Sequence, residues 1–121
     1  MNIEELRDFC LSLGYVTEKT PFGKFARRFD SVLAFYVCGH IFCMTDMNDF
    51  STVTLKSTLE EIEELKIRFH SITGARNPLK RDWIEVAVNA DIPDREIRRM
   101  IKNSYAIIRA KHTKDRRINN V

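Results

Sequence analysis

The last third of the chain carries a one-sided row of cations with the chemistry to contact phosphate groups. If the chain is helical from Asp91 to about Lys111, at 100° per residue, five cations form one row in which the other four fall within about 60° of Arg95. They are Arg95, Arg98, Arg99, Lys102 and Arg109. An apolar stripe lies opposite them and comprises Ile97, Met100, Ile101, Ser104, Tyr105 and Ile108. Neutralising a DNA backbone requires such a row of lysines and arginines, so this helix is a candidate DNA-contacting element.

Two other interpretations of the row stay open. Cations near a helix C-terminus interact favourably with the helix dipole, and a charged face keeps a domain soluble. An acidic protein or a membrane surface would also attract such a row. The composition argues against a merely solvated surface. From Arg95 to Arg117 there are nine Lys and Arg but only two acids, Glu96 and Asp115, whereas solvated helix faces tend to mix positive and negative residues.

A second candidate patch surrounds the single tryptophan. Lys80 and Arg81 precede Trp83, which begins a predicted strand in which side chains alternate between two faces. We expect Trp83 on the helix-free face of a sheet with Tyr36, Thr54, Lys56 and Glu85. An aromatic ring beside cations suits base stacking combined with phosphate contact. The alternative is that Trp83 packs against a terminal segment.

Catalytic and metal-binding signatures are not evident in the sequence. There is no G-x-S-x-G, H-E-x-x-H or Gly-rich phosphate loop, and His40, His70 and His112 are isolated from one another. We therefore expect no catalytic residues, no metal and no cofactor. The acidic run from Glu60 to Glu64 is interpreted as a solvated helix face. A small-ligand enzyme with its pocket near Cys43 and His40 is kept as a third hypothesis.

Composition and cysteine usage favour a single cytoplasmic domain. The chain has 121 residues, no long apolar run and an acidic N-terminus unlike a signal peptide. Cys10, Cys38 and Cys43 are an odd number of cysteines and fit free thiols, with a Cys38–Cys43 disulfide as the alternative. Residues 75–121 hold 12 Lys and Arg against 6 acids, while residues 1–74 hold 8 against 11. This asymmetry points to an anionic partner.

The predicted elements alternate between helices and groups of strands. The first helix begins at Asn2, with Glu5 as its capping-box partner, and ends at Gly14. Residues 15–30 receive no firm assignment beyond a turn at Thr20–Gly23. Residues 31–46 predict a hairpin with the loop Gly39-His40. Its core face is Leu33, Phe35, Val37, Phe42 and Met44, and its other face is Val32, Ala34, Tyr36, Ile41 and Cys43.

The second half predicts a strand at Ser51–Lys56 with Val53 and Leu55 inward, then a helix capped by Thr58. The apolar stripe of that helix comprises Leu59, Ile62, Leu65 and Phe69. A polar connection, the Trp83 strand and the cationic helix follow. Strands grouped in hairpins predict an α+β domain of two layers, an antiparallel sheet with helices on one face. We assign residues 1–112 to this domain and residues 113–121 to a polar basic tail, expected to fray.

An ordered set of short motifs resembles the MmcQ/YjbR family of small bacterial proteins. The motifs are Thr20-Pro21-Phe22-Gly23, Gly39-His40-Ile41-Phe42, Leu55-Lys56, Lys80-Arg81-Asp82-Trp83, Ile92-Pro93 and Ser104-Tyr105. The resemblance implies the order α-β-β-β-α-β-β-α, a fold similar to secretion chaperones and called CyaY-like. It also implies a strand near residues 75–79. Asp82 departs from the histidine that is common in the family at that position, and the aromatic and His residues usual near Ala75-Arg76 are missing.

The resemblance implies DNA binding but supplies no catalytic residues. Our leading hypothesis is a monomeric, non-enzymatic module that binds DNA without sequence specificity. Lys80, Arg81, Trp83, Arg95, Arg98, Arg99, Lys102 and Arg109 would make the contacts. The rival hypothesis is a protein-interaction or chaperone-like adaptor that uses the open sheet face around Tyr36 and Trp83.

Overall fold

The computed structural model describes residues 1–20, 31–74 and 81–119, with side chains described as far as Thr113. Within those ranges the elements are three helices and six strands. In chain order they are α1 (Ile3–Ser12), β1 (Thr17–Lys19), β2 (Val32–Val37), β3 (His40–Asp46), β4 (Thr52–Lys56), α2 (Leu59–Arg68), β5 (Ile72–Gly74), β6 (Trp83–Ala87) and α3 (Asp94–Asn119). The predicted α+β class and element order are confirmed, with β1 as an additional short strand.

One antiparallel sheet in the order β1-β2-β3-β4-β6-β5 forms the first layer. Helix α2 leads from β4 to β5, which lies at the edge of the sheet. The next strand, β6, then lies between β4 and β5. The helices cover one sheet face, where Phe35, Val53, Leu55 and Ile84 are buried in one cluster with residues from all three helices. Two predicted segments, the turn through Gly23 and the strand near 75–79, lie outside the described residues.

Local sequence signals account for the starts of the helices. Asn2 accepts from the Glu5 amide at 2.8 Å, and the Glu5 carboxylate accepts from the Asn2 amide at 3.2 Å, so the predicted capping box is confirmed. Thr58 caps α2 by accepting from the Glu61 amide. Pro93 precedes α3, and its carbonyl accepts from Ile97 at 3.1 Å.

The hairpin loop was predicted one residue too late. Val37 pairs with His40, so the two-residue loop is Cys38-Gly39. Both loop residues have positive φ, 54° and 78°. This is the backbone of a type I′ turn, whose twist matches that of the flanking strands. The positive φ of Cys38, which is uncommon for a residue with a Cβ, hides this turn from the sequence.

A β-bulge also overturns part of the predicted hairpin faces. The register between β2 and β3 shifts beside Phe35, so Phe42 and Cys43 are both fully buried. Cys43 therefore belongs to the core, and Met44, predicted to be inward, pairs with Thr54 on the other face. One extra residue reverses the alternation of every residue beyond it.

Two predictions for the helices also need correction. Leu59, predicted to be on the apolar stripe of α2, is 51% exposed. The buried residues of that helix are Ile62 and Leu65. α3 continues to Asn119 rather than ending near Lys111. The polar tail composition gives no stop signal of the Gly or Pro type, so the helical backbone extends into it.

Candidate nucleic-acid interface

The predicted two-sided character of α3 is confirmed by its packing. Ile97, Met100, Ile101, Ser104, Tyr105 and Ile108 are all buried. The Ser104 hydroxyl donates to the Phe42 carbonyl at 2.6 Å and accepts from the Lys56 amide at 3.0 Å, which bridges β3 and β4. The Tyr105 hydroxyl donates to the Gly14 carbonyl at 2.9 Å. The cationic side of the helix consequently faces solvent.

Two of the five predicted cations are already paired with acids. Arg99 contacts Glu96 at 3.0 Å and Glu61 of α2 at 3.2 Å, and the hydrogen bond with Glu96 is the main cause that raises the pKa of its guanidinium. Arg98 lies 3.7 Å from Glu5 of α1. Glu5 and Glu61 both stand at the third residue of their helix, so the starts of α1 and α2 hold α3 from both sides. Their capping positions were visible in the sequence, but their pairing with α3 was not.

The other three cations are not paired with any acidic side chain of the described residues. Arg95 and Lys102 are exposed and have no polar or ionic partner among the described side chains. Arg109 donates to the Tyr105 hydroxyl at 3.2 Å and stands over the rings of Tyr15 and Tyr105, at 5.8 and 5.9 Å. These three residues are seven apart in sequence, so they follow one line along the helix at intervals of about 10.5 Å. We call this line the α3 ridge.

Acidic helices flank the α3 ridge. α1 contributes Glu4 and Glu5 in its first turn, and α2 contributes Glu60 and Glu61 in its own. Exposed charges act over about 10 Å at 0.1 M salt, so these carboxylates reduce the positive potential beside the ridge. A polyanion would therefore meet the least repulsion along the ridge itself.

The second predicted patch lies at the end of the sheet where β6 begins. Lys80 lies outside the described residues, and Arg81 is exposed near Ile107 of α3, since both line one cleft. Trp83 is on the helix-free sheet face and pairs with Lys56, which also lines that cleft and whose ammonium is 6.0 Å from the indole and 3.2 Å from Asp82. Trp83 and the α3 ridge therefore cannot contact the same small ligand.

The predicted composition of the helix-free face is confirmed by strand register. Trp83 neighbours Lys56, and Thr54 neighbours Glu85. Tyr36 is on the same face, with the Lys19 ammonium 5.4 Å from its ring. These side chains are half-buried, and no helix of the described ranges covers them. The face is thus partly open and carries aromatic rings with adjacent cations.

Cys43 and His40 do not form a nucleophile–base pair. Cys43 is buried beside Cys10, and burial raises the pKa of its thiol, whereas His40 stacks on His112 with ring centroids 3.4 Å apart. All three cysteines are free thiols. Where the structure describes the chain, no group of three His, Cys, Asp or Glu side chains is arranged to hold a metal.

None of the described helices has the length and apolar character needed to cross a membrane.

Comparisons with known proteins agree with this architecture. A family model described as YjbR matches residues 11–107. A crystal structure of a Deinococcus radiodurans protein with a DUF419 domain superposes with a TM-score of 0.78 at 24% identity, covering 89% of this chain and 78% of that one. A Pseudomonas syringae protein superposes with a TM-score of 0.67 at 19% identity, covering 86% and 96%. No curated protein matches the sequence.

Proposed function

This chain belongs to the YjbR family, and from that premise we propose that it is a non-enzymatic module that binds the phosphate backbone of DNA through the α3 ridge. Side chains on the ridge would position the DNA through its phosphates, and these contacts carry no sequence information. Arg98 and Arg99, which are held by acids, contribute less than the sequence suggested.

The observation that carries this proposal is the line formed by Arg95, Lys102 and Arg109. Their charges are not neutralised by any acid of the described chain, while the opposite side of the same helix is anchored in the core. The ridge spans about 21 Å, which is long enough to follow a duplex over more than half a helical turn. Three phosphate contacts would give a salt slope near 2.7 for the affinity.

Two double variants with equal charge loss test the ridge. We expect Arg95→Ala with Lys102→Ala to lower the affinity for a duplex of random sequence and to reduce its salt slope by about 1.8. Arg98→Ala with Arg99→Ala is the matched control and should change the slope much less, since both arginines are already paired. Fluorescence anisotropy over 20–200 mM salt measures both. Equal losses in the two variants would show that only net charge matters and would overturn the assignment to the ridge.

A second candidate function uses the helix-free sheet face. Its supporting observation is that Tyr36 and Trp83 are half-exposed there, with Lys19 and Lys56 against their rings. Aromatic side chains are enriched where proteins bind other proteins. For such an adaptor, Trp83→Ala should abolish partner binding with little salt dependence, whereas the ridge variant should bind normally. The opposite pattern would exclude the adaptor.

A further inference from the structure

An exposed tyrosine stands at one end of the α3 ridge. Tyr15 is 88% exposed, the highest value among the large hydrophobic side chains of the described chain. It follows α1, and the guanidinium of Arg109 stands over its ring at 5.8 Å from the centroid. Arg109 is the last of the three cations of the ridge. The ridge therefore ends beside an aromatic ring that is almost fully open to solvent.

The backbone of Tyr15 has a conformation that its side chain disfavours. Its φ is 57°, in the left-handed region, and it follows Gly14, whose φ is 96°. Bulky residues rarely adopt a positive φ, and such residues cluster at functional sites. Because the side chain is exposed, burial of the ring in the core does not compensate for this backbone. Glycine or asparagine would suit the position better, so the fold alone gives no reason for an aromatic ring here.

Helix α3 fixes the loop that carries this tyrosine. The Tyr105 hydroxyl donates to the Gly14 carbonyl at 2.9 Å and accepts from Arg109 at 3.2 Å. The Gly14 carbonyl belongs to the peptide that joins Gly14 to Tyr15, and Tyr105 is itself buried in the core. These two hydrogen bonds connect the backbone beside the exposed ring to a cation of the ridge. The position of Tyr15 relative to the ridge is thus set by the packing of α3.

The chemistry of this corner fits an unpaired nucleobase beside a phosphate. Bases of single strands stack on aromatic side chains, and arginine contributes phosphate contacts and cation–π interactions at such sites. Within a duplex, each base is stacked between its neighbours and has no free face to offer to a protein ring. A strand that leaves the duplex does have one. The ring of Tyr15 therefore suits a place where duplex DNA ends in a single strand.

We propose that Tyr15 stacks on the first unpaired base where a single strand leaves a DNA duplex bound along the α3 ridge. This inference rests on the proposed function and narrows its ligand to duplex DNA with a single-stranded end. The ridge spans about 21 Å, or about six base pairs at 3.4 Å each. Arg109 contacts the phosphate at the junction, and the Tyr15 ring takes the base that follows.

Two DNA duplexes that differ only in their tails test this role. One carries a single-stranded tail of thymidines and the other carries a tail of abasic nucleotides, so the duplex and the number of phosphates are the same. We expect the protein to bind the thymidine tail at least fivefold more tightly, in at least one of the two tail polarities. Fluorescence anisotropy measures both affinities. Equal affinities for the two tails in both polarities would overturn the proposal.

Substitutions at two tyrosines assign the preference to one ring. Tyr15→Asn should abolish it, because asparagine removes the ring and tolerates a positive φ, while the affinity for a blunt duplex should stay unchanged. Tyr15→Phe should keep the preference. Tyr36→Ala, which removes a half-exposed tyrosine beside Lys19 on the helix-free sheet face, is the matched control and should also keep it. A preference that survives Tyr15→Asn, or that Tyr36→Ala removes as well, would contradict the proposal.

The blunt duplex separates this inference from the function on which it rests. If the wild-type protein does not bind the blunt duplex, the proposed function itself fails. If it binds the blunt duplex but does not distinguish the two tails, only the role of Tyr15 fails.

Thermal unfolding without DNA tests whether the ring serves the fold instead. Tyr15→Asn should unfold at a temperature equal to or above that of the wild type, because it relieves an unfavourable backbone conformation. A decrease of several degrees would show that the Tyr15 ring stabilises the domain, and the proposal would lose its main argument.

Discussion

Two adjacent hydroxyl groups, those of Ser104 and Tyr105, attach α3 to the rest of the molecule. Ser104 stands between β3 and β4 and takes the place of a direct hydrogen bond between the Lys56 amide and the Phe42 carbonyl. The pairing of those two strands begins only at Cys43 and Leu55. Tyr105 reaches the loop after α1. The Ser104-Tyr105 motif that marks the resemblance to the family is therefore explained by architecture.

Replacing Ser104 should be costly for the fold. Ser104→Ala leaves a backbone amide and a backbone carbonyl without partners in the interior, and we expect it to lower the free energy of unfolding by about 2 kcal/mol. Urea denaturation measures this value. Ser12→Ala, which removes a hydroxyl from the exposed end of α1, should change stability by less than about 0.5 kcal/mol. A similar small effect at Ser104 would contradict the bridging role.

At the scale of elements, the hairpin loop contains a residue that its backbone disfavours. Cys38 and Gly39 both have positive φ, and Asn is better suited than Cys to the first of these positions. We expect Cys38→Asn to stabilise the protein by about 0.5–1 kcal/mol in thermal or urea unfolding.

Gly39→Ala is the complementary test of the same turn. No atom lies within 4 Å of the position that an added Cβ would take, so its effect isolates the backbone term. We expect a loss of about 1 kcal/mol. Stabilisation by this change would mean that the turn relaxes to another type.

The regular elements could be predicted wherever one periodicity dominates the sequence. The buried side of α3 was predicted correctly, although its end was not, because its apolar residues repeat at helical spacing over several turns. Alternation placed Val53 and Leu55 inward, and Asn2 with Glu5 marked the start of α1. Met44 and Cys43 were exchanged because a bulge depends on the partner strand, which alternation within one strand does not reveal.

The candidate interface could be predicted only in outline for a related reason. The cationic side of α3 is a property of one helix and was therefore visible. The pairing of Arg98 with Glu5 and of Arg99 with Glu61 depends on how three helices pack. The cleft that Arg81 lines likewise joins two segments about 25 residues apart in sequence, Lys56–Leu59 and Arg81–Asp82.

At the scale of the whole molecule, the acidic helices should limit the attraction of DNA to the α3 ridge. Glu61→Gln removes one carboxylate that neutralises Arg99 while keeping the acceptor for Asn103, which donates to Glu61 at 2.7 Å. We expect the affinity for duplex DNA to rise about two- to threefold, as for one charge removed at a distance of several ångströms in water. Anisotropy at low salt measures the change. Glu63→Gln, an equal charge change on an exposed side of α2, should have a smaller effect, and a larger one would contradict the model of local neutralisation.

Acid should weaken the whole fold through its native carboxylates. Hydrogen bonds from Arg7 are the main cause that lowers the pKa of Glu18, which ties β1 to α1, and a hydrogen bond from Ser31 lowers that of Asp46. Because the folded pKa values lie below the unfolded values of about 4, this stability is present at neutral pH and is lost as the pH falls below about 4. The urea midpoint of the wild-type protein should decrease from pH 6 to pH 3, and the urea midpoint of the Glu18→Gln variant should decrease less over the same range. An unchanged pH dependence in the variant would contradict this role of Glu18.

The Ser104 bridge also decides how a bound ligand can affect the protein mechanically. A shift of α3 along the sheet by even one residue, about 1.5 Å, would break both hydrogen bonds of that hydroxyl at once. These two hydrogen bonds therefore fix the position of α3 along the sheet. A partner that binds the outer surface of α3 should therefore not change the structure of the sheet.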